Sequence, residues 1–161
     1  MNILLTSAGR RTSLLKAFKE ECHKTGGKVF AGDIDGLAPT LFLADYPVKL
    51  PPVHDEHFIP ALLETVQKYQ IGLVVPTIDH ELPVYARWQE EFAKVNCRLL
   101  VSTADLVEIC GDKWQTMKVF GAKGFAVPRS WLANNLDLVQ LPEKLFVKPR
   151  NGSASQNTFS V

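Results

Sequence analysis

The strongest constraint on the fold is a regular alternation of short apolar runs with amphipathic helical segments. Ile3–Leu5, Val29–Ala31 and Ile71–Val75 are apolar runs with the length and composition of buried strands. Between the runs, apolar side chains recur at helical spacing, and the first such stripe contains Leu14, Leu15, Phe18 and Cys22. Strands separated by single helices indicate βαβ units, because parallel neighbours need a crossover connection. We therefore predict five strands by residue 101 and a doubly wound parallel α/β domain.

Composition and charge exclude several classes of function. The chain has 161 residues, of which 46% are hydrophobic and 22% are charged, as in ordinary globular proteins. Its 18 lysines and arginines against 17 acids give a formal charge of +1, which favours neither a nucleic acid nor an anionic membrane surface. No run approaches the ~18 apolar residues of a transmembrane helix, and the N-terminus lacks the pattern of a signal peptide. We therefore expect no nucleic-acid or membrane partner.

The cysteines give no sign of a disulfide framework or a metal site. Cys22, Cys97 and Cys110 are an odd number without CxxC spacing, and each lies among apolar residues. This pattern favours reduced, buried thiols over a catalytic cysteine. The sequence therefore predicts a cytoplasmic protein.

The pattern changes after Val101. Ala104–Cys110 and Asp112–Ala122 predict two consecutive short helices, and Leu145–Pro149 predicts a strand after a polar loop around residues 134–135. A strand pair cannot hold a core of its own. We therefore predict one complete domain over residues 1–101 and the incomplete start of a second domain over residues 102–161.

Three predicted loops lie where open parallel sheets bind ligands, outside the carboxyl ends of the strands. They are Thr6–Arg11, Asp33–Gly36 and Thr77–Glu81, and all are rich in small or charged residues. The substrate-side candidates in these loops are Ser7, Gly9, Arg10, Arg11, Asp33, Asp35, Thr77, Asp79 and Glu81.

The first of these loops carries two cations where a helix begins. Arg10 and Arg11 oppose the helix macrodipole there, by a few tenths of a kcal/mol each. Contact with an anion and simple solvation explain them equally well. Gly9 alone does not make a GxGxxG fingerprint, so the loop is only a weak indication of a dinucleotide.

The acids of the other two loops also have two interpretations each. Asp33 and Asp35 suit either a ribose hydroxyl or a tight turn. Asp79 and Glu81 suit a contact with a substrate or a metal, but Asp79 also suits the cap of a helix that begins near Glu81. The run His54–His57 has no standard metal spacing and fits a helix start better than a metal site.

Two later segments have the pattern of a phosphate site. Asp112 is a good N-cap, and Lys113 follows it at a helix start, where a cation is unfavourable unless an anion binds there. Lys148 and Arg150 flank a run of small residues, which lets backbone amides approach phosphate oxygens closely. A plain hairpin turn is the alternative, but the flanking cations favour phosphate. The phosphate-binding candidates are Lys113, Lys148, Arg150, Gly152, Ser153, Ala154 and Ser155.

In combination, these segments resemble ATP-grasp proteins related to the carbamoyl-phosphate synthase large chain. The matching stretches, in family order, are Ile3–Arg11, Ala31–Asp35, Pro76–Asp79, Asp112–Trp114 and Lys148–Ser155. The resemblance implies a Rossmann-like pre-ATP-grasp domain followed by the start of an ATP-grasp domain. It also implies that Lys113 and Lys148 contact ATP phosphates and that Gly152–Ser155 form a mobile loop over the triphosphate.

The same resemblance implies a chemistry. Members of this family activate a carboxylate as an acyl phosphate with Mg-ATP and pass it to an amine or a similar nucleophile. Their acidic Mg2+ ligands lie beyond the phosphate loop, so the resemblance assigns neither a metal ligand nor a catalytic residue within residues 1–161. We therefore expect the N-terminal portion of a ligase for a small-molecule substrate, unable by itself to turn over ATP.

Other classes of protein stay open at this point. One is a non-catalytic nucleotide- or metabolite-binding module, and another is one half of a split enzyme whose second half is a partner subunit. A homo-oligomer is compatible with either. A nicotinamide-dependent dehydrogenase is disfavoured because the GxGxxG fingerprint is missing.

Overall fold

The protein is described by a computed structural model over residues 1–136 and 141–161. The chain divides into two compact units, Met1–Ala104 and Asp105–Val161. Their assignment to a pre-ATP-grasp domain and the start of an ATP-grasp domain, with a boundary after residue 101, stays a prediction.

The first unit is a five-stranded parallel sheet with its connecting helices. Its elements are β1 (Asn2–Thr6), α1 (Thr12–Lys24), β2 (Val29–Asp33), α2 (Pro39–Leu43), β3 (Tyr46–Lys49), α3 (Phe58–Tyr69), β4 (Ile71–Pro76), a 3-10 turn (Asp79–Glu81), α4 (Leu82–Lys94) and β5 (Arg98–Leu99). The strand order is β3-β2-β1-β4-β5, and every pairing is parallel. The predicted doubly wound α/β fold is confirmed.

Two apolar layers enclose this sheet, one on each face. Leu4 belongs to the layer formed with α3 and α4, whereas Ile3 and Leu5 belong to the layer formed with α1 and α2. Successive side chains of a strand point to opposite faces, so an unbroken apolar run can serve both layers. The apolar runs of the sequence therefore fold as central strands buried on both sides.

The order in which strands are added to the sheet reverses between β1 and β4. From β1 the chain adds β2 and β3 on one side, then crosses to add β4 and β5 on the other side. The register pairs Leu5 with Val75 and Thr6 with Pro76, so these two strands end side by side. The loops that follow β1 and β4 therefore meet at the topological switch point, where open α/β sheets bind ligands.

The second unit contains two helices and a two-stranded antiparallel hairpin. Its elements are α5 (Ala104–Gly111, whose first residue belongs to the first unit), α6 (Lys113–Ala122), a 3-10 turn (Ala133–Asn135), β6 (Phe146–Val147) and β7 (Phe159–Ser160). Asp112 caps α6 as predicted, because its carboxylate accepts from the backbone N–H groups of Trp114 and Gln115.

The structure corrects several details of the sequence analysis. Pro39–Leu43 forms a short helix that was not predicted, and Trp88 of α4 is 39% exposed although it is apolar. Cys22 and Cys97 are buried as predicted, but Cys110 is exposed. Among residues 1–136 and 141–161, no helix combines the length and the apolar character needed to cross a bilayer.

Candidate functional site

The loop after β1 has an unusual backbone and is tied to the neighbouring strand β2. Ser7 has a φ of 47° and Gly9 a φ of 52°, so both lie in the left-handed region. The backbone N–H of Gly9 donates to Oδ2 of Asp33 at 2.8 Å, and the backbone N–H of Ala8 donates to the carbonyl of Gly32 at 3.2 Å. Asp33, at the end of β2, therefore fixes the turn of the first loop.

Glu81 joins the loops that follow β1 and β4. Its side chain is buried, with 1% of its surface exposed. The hydroxyl of Thr6 donates to Oε2 at 2.8 Å, and the hydroxyl of Ser7 donates to Oε1 at 2.7 Å. The hydroxyl of Tyr85 donates to Oγ1 of Thr6 at 3.0 Å. A chain of donors thus runs from α4 through the end of β1 to a buried carboxylate.

Thr77 makes a second connection between the same two loops. Its hydroxyl lies 2.9 Å from the carbonyl oxygen of Thr6 and 2.6 Å from that of Ser7. The guanidinium of Arg11 also donates to the carbonyl of Ser7, at 3.2 Å. Three side chains therefore converge on Ser7, counting the contact of its own hydroxyl with Glu81.

Burial dominates the acid–base properties of this cluster. It raises the pKa of Glu81 above its usual value, although the hydroxyls of Ser7 and Thr6 and the backbone amide of Thr77 act in the opposite direction. The negative charge of Asp33 adds a further small increase. Burial also raises the pKa of Tyr85 well above its usual value, with the charge of Glu81 as the second cause. Tyr85 is therefore a neutral donor at neutral pH.

The predicted substrate-side residues divide into two groups. Six of them are linked by the hydrogen bonds above: Ser7, Gly9, Arg11, Asp33, Thr77 and Glu81. The other three, Arg10, Asp35 and Asp79, are exposed. The carboxylate of Asp35 accepts from the backbone N–H of Leu37, which is the predicted turn alternative for that residue. Within the described residues, no side chain caps α4, so the interpretation of Asp79 as its cap is wrong.

Sequence analysis missed three residues that organise the site. Thr6 and Tyr85 belong to the donor chain, and Thr40 Oγ1 donates to the carbonyl of Gly9 at 2.9 Å. In sequence, Tyr85 looks like one more core residue of an amphipathic helix. A buried tyrosine hydroxyl needs a partner, and its position four residues after Glu81 places both side chains on one helical face. That spacing was the available signal.

A cavity of the first unit lies elsewhere. It has a volume of about 510 Å3 and is lined by residues of α4 and β5, with Gln89, Cys97 and Arg98 among them. None of the three predicted ligand loops, all within the described chain, contributes to its lining. Burial raises the pKa of the Cys97 thiol to about 11, so that cavity holds no reactive thiolate. Position in the fold, and not cavity size, therefore identifies the switch-point loops as the candidate site.

In the second unit, the predicted phosphate residues contact one another. The guanidinium of Arg150 binds the Asp112 carboxylate through Nε at 2.9 and 2.8 Å and through Nη2 at 2.6 Å. This ion pair lowers the pKa of Asp112 to about 2. Lys113 Nζ donates to the carbonyl of Gly152 at 2.7 Å, and its backbone N–H donates to the carbonyl of Arg150 at 3.0 Å. The start of α6 is therefore bound to the start of the small-residue loop.

That loop contains a run of left-handed residues. Gly152, Ala154, Ser155 and Asn157 all have positive φ values, of 123°, 55°, 55° and 53°. Lys148, on the strand side of the loop, is exposed. A groove of about 470 Å3 lies beside the Asp112–Arg150 pair, and Asp105 and Glu108 also line it. The acidic lining of this groove disfavours phosphate, and neither Lys113 nor Lys148 lines it.

The described residues contain no group of three or more His, Cys, Asp or Glu side chains that could hold a metal ion. In the run His54–His57, Asp55 accepts from both the backbone N–H and Nδ1 of His57, each at 2.8 Å. This local turn precedes α3, which begins at Phe58.

Comparison with known proteins identifies the first unit. A model of the PylC-like N-terminal domain family matches residues 3–100. The chain belongs to that family. The side chains and loops joined at the switch point form one cluster, here called the switch-point cluster: Thr6, Ser7, Gly9, Arg11, Asp33, Thr77, Glu81 and Tyr85. The PylC-like match contains all of it. No curated protein matches the chain in a sequence comparison.

The solved structures that the PylC-like chain resembles are ATP-grasp enzymes. An N5-carboxyaminoimidazole ribonucleotide synthetase from Thermotoga maritima matches 99% of the chain with a TM-score of 0.68 and 17% identity. An L-amino acid ligase from Bacillus licheniformis matches 99% with a TM-score of 0.69 and 21% identity. A protein titled glycinamide-RNase-transformylase T from Mycobacterium tuberculosis matches 91% with a TM-score of 0.62 and 16% identity. At these identities the likeness is one of fold.

The chain spans less than half of these structures. It covers 40% of the synthetase, 38% of the amino acid ligase and 45% of the transformylase. The resemblance to the N-terminal portion of ATP-grasp enzymes is confirmed.

Proposed function

We propose that this chain is the N-terminal portion of an ATP-dependent carboxylate–amine ligase of the ATP-grasp type. Such an enzyme works through an acyl phosphate, formed from a small carboxylate substrate and ATP. The PylC-like family match and the ATP-grasp fold of the structural neighbours support the assignment. The observation that carries it furthest is the switch-point loop, which places two exposed arginines beside a tightly held turn.

Arg10 and Arg11 suit the recognition of a carboxylate. The first turn of α1, Thr12 to Leu14, contains no acidic residue, and within the described chain no side chain caps this helix. Its free backbone N–H groups and the two guanidinium groups therefore favour an anion at the same place. A guanidinium can bind a carboxylate through two parallel hydrogen bonds. The substrate group at this loop is thus proposed to be the carboxylate that becomes activated.

The ATP phosphates are proposed to bind at Lys113, Lys148 and Gly152–Ser155. Lys113 already lies against this loop, because its ammonium donates to the carbonyl of Gly152. An ammonium has three donor hydrogens, so this contact leaves donors for a phosphate. Arg150 binds Asp112 through Nε and Nη2. Its guanidinium has five N–H donors, so a phosphate contact can be made beside that ion pair.

The residues of this chain fit the phosphates but not Mg2+. Asp112 is engaged by Arg150 and by the cap of α6, and the described residues offer no cluster of three possible metal ligands. The Mg2+ that accompanies ATP is therefore proposed to have its ligands outside these residues.

A titration of the 161-residue chain with ATP tests the phosphate proposal. In 15N-labelled protein we expect the amide signals of Lys113 and of residues 152–155 to shift as ATP is added. Lys113→Ala should weaken the ATP affinity obtained from these shifts at least tenfold, which corresponds to a loss of ~1.4 kcal/mol of binding free energy. Lys118→Ala, which removes an exposed lysine from the same helix, is the matched control and should leave it unchanged. Equal effects of both variants, or no response to millimolar ATP, would contradict the proposal.

A second candidate is a non-catalytic binding module or one half of a split enzyme. It is favoured by one observation: the first unit holds every residue of the switch-point cluster, while the chain spans about two fifths of the first two neighbours. Both versions expect ligand binding without turnover. ADP release by the pure 161-residue chain in the presence of a substrate would exclude them. Cytoplasmic location and homo-oligomerisation stay predictions.

A further inference from the structure

Ser7 is held in a conformation that its own side chain disfavours. A left-handed backbone brings Cβ close to the following carbonyl oxygen, so residues other than glycine avoid it. Ser7 nevertheless has a φ of 47°, directly after the central strand β1 and directly before the loop that presents Arg10 and Arg11. Strain of this kind persists only where the surrounding contacts impose it, and it concentrates at functional sites.

The contacts that impose it come from the loop after β4. Glu81 Oε1 accepts from the hydroxyl of Ser7 at 2.7 Å, which holds the side chain. The hydroxyl of Thr77 donates to the carbonyl of Ser7 at 2.6 Å, which holds the main chain. The side chain and the main chain of Ser7 are therefore both hydrogen-bonded to residues about 70 positions later in the sequence, across the switch point.

The hydroxyl groups around Glu81 suit an ionised carboxylate. Both of its oxygens accept from hydroxyl donors, Thr6 and Ser7, and the Thr6 hydroxyl accepts in turn from Tyr85. A protonated carboxyl would have to reverse one of these hydrogen bonds, because its own O–H would donate to a hydroxyl that now donates to it. The charged group that faces Glu81 from β2 is Asp33, and the titratable group that faces it from α4 is Tyr85.

We infer that Glu81 is a positioning residue of the switch-point site. Its buried carboxylate holds Ser7 left-handed and thereby sets the direction in which the loop from Ala8 to Arg11 leaves the sheet. Glu81 acts through Ser7 and does not touch the substrate, because 1% exposure leaves it no surface for one. The inference rests on the proposed function in one respect, that this loop binds the substrate carboxylate.

Protonation of Glu81 offers a direct test by NMR. In 13C,15N-labelled protein, the Glu81 carboxyl carbon should titrate with a midpoint above the 4.5 usual for glutamate. The amide and Cα signals of Ser7 should move with the same midpoint, and the HN–Hα coupling of Ser7 should change with them. Glu81→Gln should abolish this transition at Ser7, whereas Glu64→Gln, the same substitution at an exposed glutamate of α3, should leave it intact. Ser7 signals that ignore the state of Glu81 would overturn the inference.

A second pair of variants keeps the test valid if Glu81→Gln is unstable. Ser7→Gly removes both the hydroxyl and the Cβ, so the left-handed backbone no longer needs to be held. In that background, Glu81→Gln should lower the midpoint of thermal unfolding by clearly less than in the unmodified chain. Strictly additive effects would mean that Glu81 does not act through Ser7.

Succinate, a simple dicarboxylate, separates this inference from the proposed function. With succinate as the probe, the amide signals of Gly9 to Arg11 should respond. Glu81→Gln should weaken the succinate affinity at least fivefold, whereas Glu64→Gln should not. A succinate affinity that Glu81→Gln leaves unchanged contradicts the positioning role. Failure of the unmodified chain to respond to succinate contradicts the carboxylate site itself, while the Ser7 titration still decides whether Glu81 controls the loop.

Discussion

Gly9 is the residue at which backbone conformation matters most directly in the first loop. Its φ is 52°, and its N–H binds Asp33. An added Cβ would meet Arg11 Nη1 at an ordinary 3.6 Å, so conformation and not space sets the cost. Gly9→Ala should therefore lower the free energy of unfolding by about 1–2 kcal/mol. Urea denaturation, monitored by circular dichroism, measures this loss of stability.

Gly36→Ala is the matched control for that substitution. Gly36 lies in the loop after β2 without a positive φ, and no described atom lies within 4 Å of a Cβ placed there. The change should be within about 0.5 kcal/mol of zero, or slightly stabilising, because alanine restricts the unfolded chain. Equal losses for the two variants would show that the left-handed conformation of Gly9 is not the cause.

Asp45 should make the stability of the first unit depend on pH under acidic conditions. Burial raises the pKa of its carboxyl, but the backbone N–H of Val29 and the side chains of His23 and Lys19 outweigh burial and hold the pKa at about 2, against a usual 3.8. Because the folded-state pKa is the lower one, ionised Asp45 stabilises the fold above about pH 4. This contribution is lost as the pH falls from about 4 to about 2.

The variant Asp45→Asn isolates this effect. It should be less stable than the unmodified chain at pH 7, and the difference between the two should shrink steadily as the pH falls through that window. Chemical denaturation at a series of pH values measures the difference. A difference that stays constant down to pH 2 would show that the charge of Asp45 does not contribute.

At the scale of elements, the start of α6 combines a helix cap with an ion pair. Asp112 accepts from two backbone N–H groups of α6 and also binds Arg150. Asparagine caps helices about as well as aspartate, whereas alanine does not. Asp112→Ala should therefore lower the melting temperature of the second unit more than Asp112→Asn, which loses only the charge. Equal effects of the two variants would mean that the ion pair dominates over the cap.

Arg150→Gln then tests how Arg150 contributes to ATP binding. If Arg150 acts only by positioning Asp112, then Arg150→Gln, Asp112→Asn and the double variant should weaken ATP equally. If Arg150 contacts phosphate directly, Arg150→Gln should cause a further loss of affinity in the Asp112→Asn background. The ATP titration of 15N-labelled protein distinguishes the two outcomes.

The elements that sequence predicted well are those whose pattern repeats. Ile71–Pro76 is an interior strand, between β1 and β5, and is apolar throughout, so its position inside the sheet followed from composition. Helix α2 was missed because Pro39–Leu43 spans little more than one turn, too short to show a helical period. β5 has only two residues, Arg98–Leu99, although the apolar run continues to Val101, because pairing at a sheet edge is not visible in local sequence.

At the scale of the molecule, sequence predicted where the candidate site lies but not the hydrogen bonds that organise it. Parallel strands bring their carboxyl ends to one edge, so the loops after β1, β2 and β4 were predicted from the strands they follow and from their small or charged residues. The contact between Thr6 and Glu81 joins residues 75 positions apart, and it depends on how α4 packs on the sheet. No local pattern shows that Glu81 is buried or that Ser7 is left-handed.

The division into two units predicts that the first unit folds by itself. Both apolar layers of the sheet consist of residues no later than Val101, and so does the switch-point cluster. A fragment of residues 1–104 should unfold cooperatively. Its melting temperature should differ from the first-unit transition of the full chain by less than about 5 °C, the shift that ~1 kcal/mol produces in a domain of this size. Differential scanning calorimetry measures both transitions.

A fragment of residues 1–94 is the matched control, only ten residues shorter. It lacks β5 together with Cys97 and Leu99, which belong to the apolar layer under α3 and α4. The loss of β5 would also make β4 an exposed edge strand with a long apolar sequence, which promotes association between chains. We therefore expect residues 1–94 to aggregate or to unfold without a cooperative transition. If the longer fragment behaved in the same way, residues 105–161 would be required for the fold of the PylC-like domain, and the two units would form a single cooperative structure.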